Sequence, residues 1–387
     1  MIPYGRQTIS EDDVAAVVEV LRGDWLTQGP AVERFERAVA EHCGVEHAIA
    51  CANGTAALHL AYLGLGLAPG DLLWTSPNTF VATANAARFC GADMGFVDIE
   101  RDTLNMSVDA LEARLADAER SGRLPDVVVP VHFGGAACDM MRISELSRRY
   151  GFTVVEDASH AIGGAYRGTP VGACERSSAA VFSFHPVKIV TTGEGGMVVT
   201  NDDAIAERAR LLRTHGITRD PMEMEHCAEG PWYYEQLELG FNYRITDIQC
   251  ALGASQMRRL DEFVARRNEL ARRYDELLAG LPVAPQRVPD DVLSAYHLYV
   301  VRLDLGAIGP RTRTEVFAWM RASEVGVNVH YIPVHLQPYY ERLGFGRGDL
   351  PEAERYYAGA LTLPLYPAMS EDDQDAVVAA LREAVGA

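Results

Sequence analysis

Seven short apolar runs between residues 47 and 201 constrain the fold more than any other feature of this chain. The runs are HAIACANG, DLLWTSPN, MGFVDI, VVVPVHFGG, TVVEDASH, AAVFSFH and GMVVTN. Each ends in small or polar residues, which is typical of buried strands followed by turns. Helical patterns lie between several of the runs, at residues 55–65, 108–118 and 143–150. This alternation predicts an α/β fold with a seven-stranded, mostly parallel sheet that helices cover on both faces.

The second half of the chain has a different order of elements. A long helical pattern over residues 245–278 is followed by a strand at 297–303, a helix at 312–323, an extended run at 327–333 and a last helix after Ser370. The length of 387 residues also exceeds one typical domain. We therefore predict a large domain over residues 15–250 and a smaller α+β domain formed by residues 1–14 and 251–387.

Charge and composition exclude several classes of partner. A formal net charge of -19 repels the phosphates of nucleic acids and anionic membranes. No apolar run approaches the roughly 20 residues of a membrane helix, and the opening MIPYGRQTISEDD lacks the layout of a signal peptide. Seven cysteines without a CxxC pair fit reduced thiols. We expect a cytoplasmic protein that binds neither nucleic acid nor membrane.

Metal binding is not expected either. His42, Cys43 and His47 lie close together in the sequence. Their arrangement approximates only one of the spacings that zinc ligands usually have. The predicted site therefore contains no metal.

Lys188 stands in VFSFHPVKIVTTGEGGMVVT, between an apolar strand-like run and a glycine-rich turn. A lysine just past a buried strand end is costly unless it is paired or chemically used. Asp157 closes the preceding run, and Asn53, Gly54 and Thr55 join a strand to a helix whose free N–H groups favour an anion. Taken singly, each has an ordinary explanation as a solvated lysine, a helix cap or a common turn.

Together these three features are the parts that a pyridoxal phosphate enzyme requires. The lysine can form a Schiff base, the aspartate can keep a pyridinium nitrogen protonated, and the helix start can bind a phosphate. Neither a P-loop nor a GxGxxG motif is present, which disfavours a nicotinamide oxidoreductase. The predicted cofactor is pyridoxal 5'-phosphate.

The chain resembles the DegT-type nucleotide-sugar aminotransferases, which have the fold-type I architecture. The segments that carry the resemblance lie between residues 2 and 367 and are IPYGRQTI, WLTQGP, NGTAALHLA, TFVATANA, VVEDASHAIGG, SFHPVK, TGEGGMVVTND, GFNYRITDIQCALG and LPLYP. Within the family, SFHPVK, TTGEGG and PYGRQTISEDD are most similar to the pseudaminic-acid pathway member, which aminates a UDP-linked 2-acetamido-2,6-dideoxy-4-ketohexose. Ile189 departs from the pattern, since a proline is expected after the lysine.

The resemblance assigns roles to these residues. It implies that Lys188 binds the cofactor and moves a proton during catalysis, and that Asp157 keeps the ring nitrogen protonated. His160 is expected near the phenolic oxygen of the cofactor, and Phe80 is expected to stack on its ring.

The resemblance also implies a phosphate site and a substrate site that two subunits share. Gly54, Thr55 and Ser183 are expected to bind the phosphate within one chain, whereas Asn242 is expected to reach it from the partner of a homodimer. The expected substrate-binding residues are Thr27, Gln28, Arg244, His330 and Tyr331.

The predicted reaction moves an amino group from glutamate to the 4-keto carbon of the nucleotide-linked sugar, with ping-pong kinetics. One alternative is an aminotransferase for another nucleotide-linked ketosugar in secondary metabolism. Another is a non-catalytic protein that binds pyridoxal or a sugar. Related deoxysugar dehydratases resemble this pattern with histidine in place of the lysine, so Lys188 argues against them.

Overall fold

A computed structural model describes residues 1–386 of the chain, so the last residue of the predicted small domain, Ala387, lies outside it. The described residues form thirteen α-helices and fifteen β-strands. The helices are α1 (Glu11–Arg22), α2 (Pro30–Cys43), α3 (Gly54–Gly64), α4 (Ala82–Phe89), α5 (Val108–Ser121), α6 (Met140–Tyr150), α7 (Asp203–Arg213), α8 (Asp247–Met257), α9 (Leu260–Leu277), α10 (Arg313–Ala322), α11 (Pro338–Glu341), α12 (Pro351–Gly359) and α13 (Glu371–Val385). The strands are β1 (His47–Cys51), β2 (Leu72–Thr75), β3 (Asp93–Phe96), β4 (Val127–Val129), β5 (Thr153–Asp157), β6 (Ala165–Tyr166), β7 (Thr169–Pro170), β8 (Ala179–Ser183), β9 (Gly196–Thr200), β10 (Ile217–Thr218), β11 (Glu235–Gln236), β12 (Val283–Pro285), β13 (Val292–Leu293), β14 (Tyr299–Leu303) and β15 (Ala360–Leu363).

The central sheet has seven strands in the order β1-β9-β8-β5-β4-β2-β3. Each of the seven predicted runs contributes one strand, and only β9 runs against the others. The predicted α/β fold with a seven-stranded, mostly parallel sheet is therefore confirmed. All strands except β9 end at the same edge of the sheet, and the loops that follow them gather there.

Helices cover both faces of this sheet, because alternate side chains of each buried strand point to opposite sides. Val155 of β5 packs with the helices α3, α4 and α7 on one face. Val154 of the same strand packs with α2, α5, α6 and α8 on the other face. The result is a three-layer core that holds the strand ends rigidly in place.

A second core lies in the C-terminal part of the chain. There α10 and α13 pack against the three-stranded sheet β12-β14-β15 and the end of α9. The N-terminal segment joins this part, since Gly326 N–H donates to Ile2 O at 2.7 Å and Leu365 N–H donates to Tyr4 O at 3.1 Å. Strand β13 instead pairs with β6 of the first part. The exact domain boundaries stay a prediction.

The helical pattern predicted over residues 245–278 is two helices rather than one. Arg259 leaves the helical conformation, with φ -114° and ψ 10°, and separates α8 from α9. The two helices have different neighbours, since α8 packs on α1 and α2 whereas α9 packs on α13. In the described part of the chain, no helix combines the length and apolar character needed to cross a membrane.

Candidate active site

Lys188 lies in the loop that connects β8 to β9, at the edge where the parallel strands end. Its backbone N–H donates to His185 O at 2.9 Å, which fixes the turn. The side chain is half-buried. Loss of hydration lowers the pKa of Lys188 to about 7, although the nearby charge of Asp157 acts to raise it. A large fraction of the amine is therefore unprotonated and nucleophilic at neutral pH.

Asp157 ends β5 and is buried. Its Oδ1 accepts a hydrogen bond from Ser159 N–H at 3.1 Å, and its Oδ2 accepts one from the Thr83 hydroxyl at 2.6 Å. Within residues 1–386 no basic nitrogen lies within 4.0 Å of this carboxylate, so its charge is not consumed by an ion pair. The preceding Glu156 points to the other face, where it binds His132 and Ser177.

The start of α3 forms a cradle with the end of β8. The Asn53 side chain caps this helix by accepting from Ala56 N–H at 2.8 Å, which leaves the N–H groups of Gly54 and Thr55 without partners inside the helix. A Cβ atom at Gly54 would lie only 2.9 Å from Ser183 Cβ, so glycine allows the helix start to approach the strand end. The half-buried hydroxyls of Thr55 and Ser183 border this cradle.

Three buried histidines lie near enough to Lys188 for its charge to act on their rings. The pKa values of His160 and His297 are held well below the ordinary value by burial and by the charge of Lys188, and the same causes lower the pKa of His330 to about 3. All three rings are therefore neutral at physiological pH. With Tyr331 they complete what we name the Lys188 cluster, whose members are Lys188, Asp157, His160, His297, His330 and Tyr331.

The hydrogen bonds of His160 determine its tautomer. Gly134 N–H donates to His160 Nδ1 at 3.3 Å, so the ring proton is on Nε2 and is donated to Tyr331 Oη at 3.1 Å. Burial and the charge of Asp157 raise the pKa of Tyr331, which keeps its hydroxyl protonated. The ring of Phe80 lies 6.2 Å from that of Tyr331 and is 58% exposed, so it forms an open apolar wall.

The predicted residues fall into two spatial sets. The Lys188 cluster, Phe80 and the cradle gather at the edge of the sheet where the parallel strands end. The other set, which we name the outer group, consists of Thr27, Gln28, Asn242 and Arg244. Thr27 pairs with Thr246, while Gln28 and Arg244 line one cavity of about 270 Å³. In the described chain no hydrogen bond links the outer group to the Lys188 cluster.

Several residues near the site were not predicted from the sequence. Thr83 binds Asp157, the tilted ring of His297 packs against His160 with ring centroids 4.5 Å apart, and Tyr4 packs on His330 with ring centroids 5.6 Å apart. Thr83 and Tyr4 lie inside the segments TFVATANA and IPYGRQTI, which carry the resemblance. The composition of the chain also draws attention to Lys188, because it is the only lysine of the chain.

These groups fit pyridoxal 5'-phosphate. The cradle offers N–H and hydroxyl donors to a phosphate, Asp157 offers an unpaired buried carboxylate to a ring nitrogen, and Lys188 offers a neutral amine to an aldehyde. The cradle depends on Gly54 and would be closed by any side chain there.

Comparison with known proteins gives the same assignment. Residues 7–382 match the DegT/DnrJ/EryC1/StrS aminotransferase family. The chain is 39% identical to the spore coat polysaccharide biosynthesis protein SpsC of Bacillus subtilis, over 99% of this chain and 97% of that protein.

Solved structures of sugar aminotransferases are also similar to the whole chain. Helicobacter pylori PseC, an aminotransferase involved in the biosynthesis of pseudoaminic acid, matches with a TM-score of 0.90 and 28% identity, covering 100% of this chain and 99% of that one. The sugar aminotransferase Spr1654 of Streptococcus pneumoniae matches in its PMP form with a TM-score of 0.90 and 27% identity, covering 100% and 99%. Its PLP form matches with a TM-score of 0.88. The predicted cofactor, pyridoxal 5'-phosphate, is confirmed.

Proposed function

Because this chain belongs to the DegT/DnrJ/EryC1/StrS aminotransferase family and is a pyridoxal-phosphate-dependent sugar aminotransferase, we propose that it transfers an amino group from glutamate to the 4-keto carbon of a UDP-linked 2-acetamido-2,6-dideoxyhexose. The observation that carries the proposal of transamination is the Lys188 cluster beside the phosphate cradle. The likeness to PseC over the whole chain supports a sugar of the pseudaminic-acid type.

Different residues of the chain have separate roles in the proposed reaction. When bound, the cofactor supplies an electron sink for the negative charge that develops as a C–H bond of the amino donor breaks. Lys188 holds the cofactor, and its released neutral amine takes the proton from the donor carbon and returns one to the sugar carbon. Asp157 keeps the proton on the ring nitrogen. Gly54, Thr55 and Ser183 bind the phosphate.

Two further residues of the cluster face the reacting groups. His160 donates its Nε2 proton to Tyr331 Oη, so the hydrogen of the Tyr331 hydroxyl is free to be donated to the substrate. His330 is held by the Thr362 hydroxyl at 2.8 Å, which orients its ring beside Tyr331. We assign His330 and Tyr331 to the sugar pocket, and propose that His160 lies beside the phenolic oxygen of the cofactor while its Nε2 proton stays on the hydrogen bond to Tyr331 Oη.

The outer group serves the partner subunit in this proposal. Thr27, Gln28 and Asn242 are exposed, Arg244 is half-buried, and the Thr27–Thr246 pair holds the two segments together on one surface. In a homodimer this surface would supply Asn242 and Arg244 to the phosphate groups of the opposite site. The seven cysteines, none of which forms a disulfide, fit a cytoplasmic enzyme.

A screen of 4-ketosugars tests the proposed substrate. The purified holoenzyme is incubated with glutamate and several UDP-linked and dTDP-linked 4-ketosugars, and the amination products are measured by mass. We expect the UDP-linked 2-acetamido sugar to react with the highest kcat/KM, and Lys188→Ala to form no product. Preference for a dTDP-linked sugar without the acetamido group would contradict the substrate proposal but not the assignment as an aminotransferase.

A second candidate is a different nucleotide-linked ketosugar destined for a polysaccharide. The higher identity to SpsC, whose name refers to spore coat polysaccharide biosynthesis, favours this alternative. The same screen tests both candidates, because it varies the substituents on the sugar and the nucleotide.

A further inference from the structure

Asp157 is held by a chain of two buried hydroxyls. Thr83 Oγ1 lies 2.6 Å from Asp157 Oδ2, and Thr79 Oγ1 lies 2.8 Å from Thr83 Oγ1. Thr79, Thr83 and Asp157 are only 3%, 1% and 4% exposed. The contact joins α4 to the end of β5 across the core of the large sheet, on the face that Glu156 does not occupy.

The direction of these hydrogen bonds follows from the chemistry of the groups. An ionised carboxylate only accepts, so the Thr83 hydroxyl must donate its single hydrogen to Asp157. The 2.8 Å contact with Thr79 then requires the Thr79 hydroxyl to donate to Thr83. The distance of 2.6 Å falls in the range of charge-assisted O–H···O⁻ bonds, which are about twice as strong as neutral ones.

Both oxygens of Asp157 are therefore oriented by donors. Ser159 N–H fixes Oδ1, and Thr83 fixes Oδ2. A carboxylate with both oxygens fixed keeps its plane, and the remaining lone pairs keep one direction. Donation to the ionised form also stabilises it. A proton shared with a ring nitrogen consequently stays on the nitrogen, where catalysis needs it.

From this geometry we propose that Thr83, supported by Thr79, is a positioning residue that orients Asp157 and keeps the proton on the cofactor's ring nitrogen. The inference rests on the proposed role of Asp157 in the aminotransferase reaction. It adds a specific requirement, namely that a hydroxyl must stand at position 83.

The test compares Thr83→Val with Thr83→Ser in the holoenzyme. Valine keeps the shape of threonine but has no hydroxyl, whereas serine keeps the hydroxyl. The ring-nitrogen signal of ¹⁵N-labelled cofactor reports protonation directly by NMR. We expect Thr83→Val to move this signal toward the unprotonated position and to lower kcat about tenfold, with little change in KM for the amino donor. Thr83→Ser should restore both values.

Thr75→Val is the matched control. Thr75 is also a buried threonine at the edge where the parallel strands end, but its hydroxyl donates to Val129 O at 2.8 Å and does not contact Asp157. The nitrogen signal of Thr75→Val should equal that of the wild type. If Thr83→Val does not fold, Thr79→Val performs the same test, because it removes the donor to Thr83, and a smaller shift in the same direction is expected.

Asp157→Asn separates this inference from the proposed function. If Thr83→Val keeps the wild-type signal and kcat while Asp157→Asn loses them, the positioning role of Thr83 is wrong and that of Asp157 stands. If Asp157→Asn also keeps both, the assignment of Asp157 itself fails. If Thr83→Val folds poorly and Thr79→Val has the wild-type signal, the inference is likewise overturned.

Discussion

Lys188 is the only lysine in 387 residues, and the other positively charged side chains are all arginine. An arginine is always protonated and cannot attack an aldehyde, so Lys188 is the only side-chain amine able to bind the cofactor. Its half-buried position keeps the amine accessible while removing enough water to lower the pKa to about 7. The amine of Lys188 is therefore both nucleophilic at neutral pH and accessible to a ligand.

A direct measurement of this pKa is our first prediction. Labelling lysine at the ε position of the apoprotein gives a single NMR signal, because no second lysine contributes. We expect this signal to titrate near pH 7, far below the ordinary lysine value of about 10.4. Asp157→Asn should lower the pKa further, since the Asp157 charge acts to raise it.

The pH dependence of cofactor attachment follows with a definite sign. Only the neutral amine reacts, so attachment should slow about tenfold for each pH unit below the pKa of Lys188. Reaction of the free cofactor with a model amine over the same range corrects for titration of the cofactor itself. An attachment rate that keeps rising up to pH 10 would show that Lys188 has an ordinary pKa. Borohydride reduction followed by peptide mapping should place the adduct on Lys188 and not on the N-terminal amine.

Asp157→Asn is the second prediction at the residue scale. The amide cannot hold the ring nitrogen protonated, so kcat should fall at least a hundredfold, which corresponds to about 3 kcal/mol of transition-state stabilisation. Cofactor binding should persist through the phosphate cradle. Steady-state kinetics and cofactor titration measure the two effects separately.

The neighbouring residue supplies a control for Asp157. Glu156→Gln changes the adjacent carboxylate, which faces His132 and Ser177 on the opposite side of β5. This variant should retain kcat within about twofold, because its side chain lies away from the Lys188 cluster. Equal losses of kcat in both variants would indicate a general disturbance of β5 rather than a specific role of Asp157.

The sequence was informative wherever a residue follows a strand. Asp157 and Lys188 are predicted from the sequence because each stands at or after the end of an apolar run, whereas Ser183 is predicted only by resemblance. Thr83 was not found, since its contact with Asp157 spans 74 positions of sequence and depends on how α4 packs against β5. Sequence patterns report local periodicity, whereas such contacts arise only from tertiary packing.

At the scale of elements, the helices α1 and α13 begin with the same type of N-terminal cap, a capping box. Ser10 and Ser370 each accept a hydrogen bond from the backbone N–H of an aspartate three positions later, and that aspartate binds the serine N–H in return. The serine followed by acidic residues in SEDD is typical of a helix start. The break between α8 and α9 could not be predicted, because neither glycine nor proline marks Arg258 or Arg259.

The aspartates of the two caps, Asp13 and Asp373, are predicted to contribute different amounts to the free energy of unfolding. Asp13 is fully buried and also accepts from Gln256 Nε2 at 2.6 Å, whereas Asp373 serves only its own helix. Loss of a cap costs about 1 kcal/mol, and leaving buried donors unpaired costs about 1–3 kcal/mol more. Asp13→Ala should therefore lower the free energy of unfolding by about 3 kcal/mol and Asp373→Ala by about 1 kcal/mol.

Urea denaturation at several pH values checks this difference. Burial acts to raise the pKa of Asp13, but hydrogen bonds from Ser255, Ser10 and Gln256 outweigh it and lower the pKa. A depressed aspartate pKa contributes stability that is complete above the ordinary value of about 3.9 and is lost as the pH falls through the folded value. The effect of Asp13→Ala should therefore diminish at acidic pH. Equal losses in the two variants at pH 7 would contradict a second role for Asp13.

At the scale of the whole molecule, the sequence predicted the class of fold but not its assembly. The strand order of the central sheet depends on which runs become neighbours, and the pairs β10-β11 and β6-β7 have strands of only two residues, too short for a periodic signal. The outer group illustrates the same limit. Resemblance assigned Thr27, Gln28 and Arg244 to the same substrate site as His330 and Tyr331, yet these three lie on a surface apart from the Lys188 cluster, as does Asn242, which was expected to act from the partner subunit.

The proposed homodimer with shared active sites would account for this separation, and it leads to the last prediction. Lys188→Ala inactivates a site through its own chain, whereas Asn242→Trp should inactivate the site of the partner, because a bulky ring replaces an exposed asparagine on the outer group. Each variant alone should be inactive as a homodimer. In a mixed dimer, one site contains both substitutions, and the other site combines a native Lys188 with a native Asn242.

Random exchange of two such chains makes about half of the dimers mixed, so up to about a quarter of all sites should be native. We expect mixing to restore up to this fraction of wild-type activity, in step with heterodimer formation measured by native mass spectrometry.

Asn242→Ala is a weaker test, since losing one contact to a phosphate leaves its other donors in place. Mixing Lys188→Ala with Asp157→Asn is the control, because both residues belong to one chain's site: the mixed dimer then has one lesion in each site and should gain no activity. Exchange without recovery in the Asn242→Trp mixture would mean that each site is built from a single chain, and the outer group would then need another role.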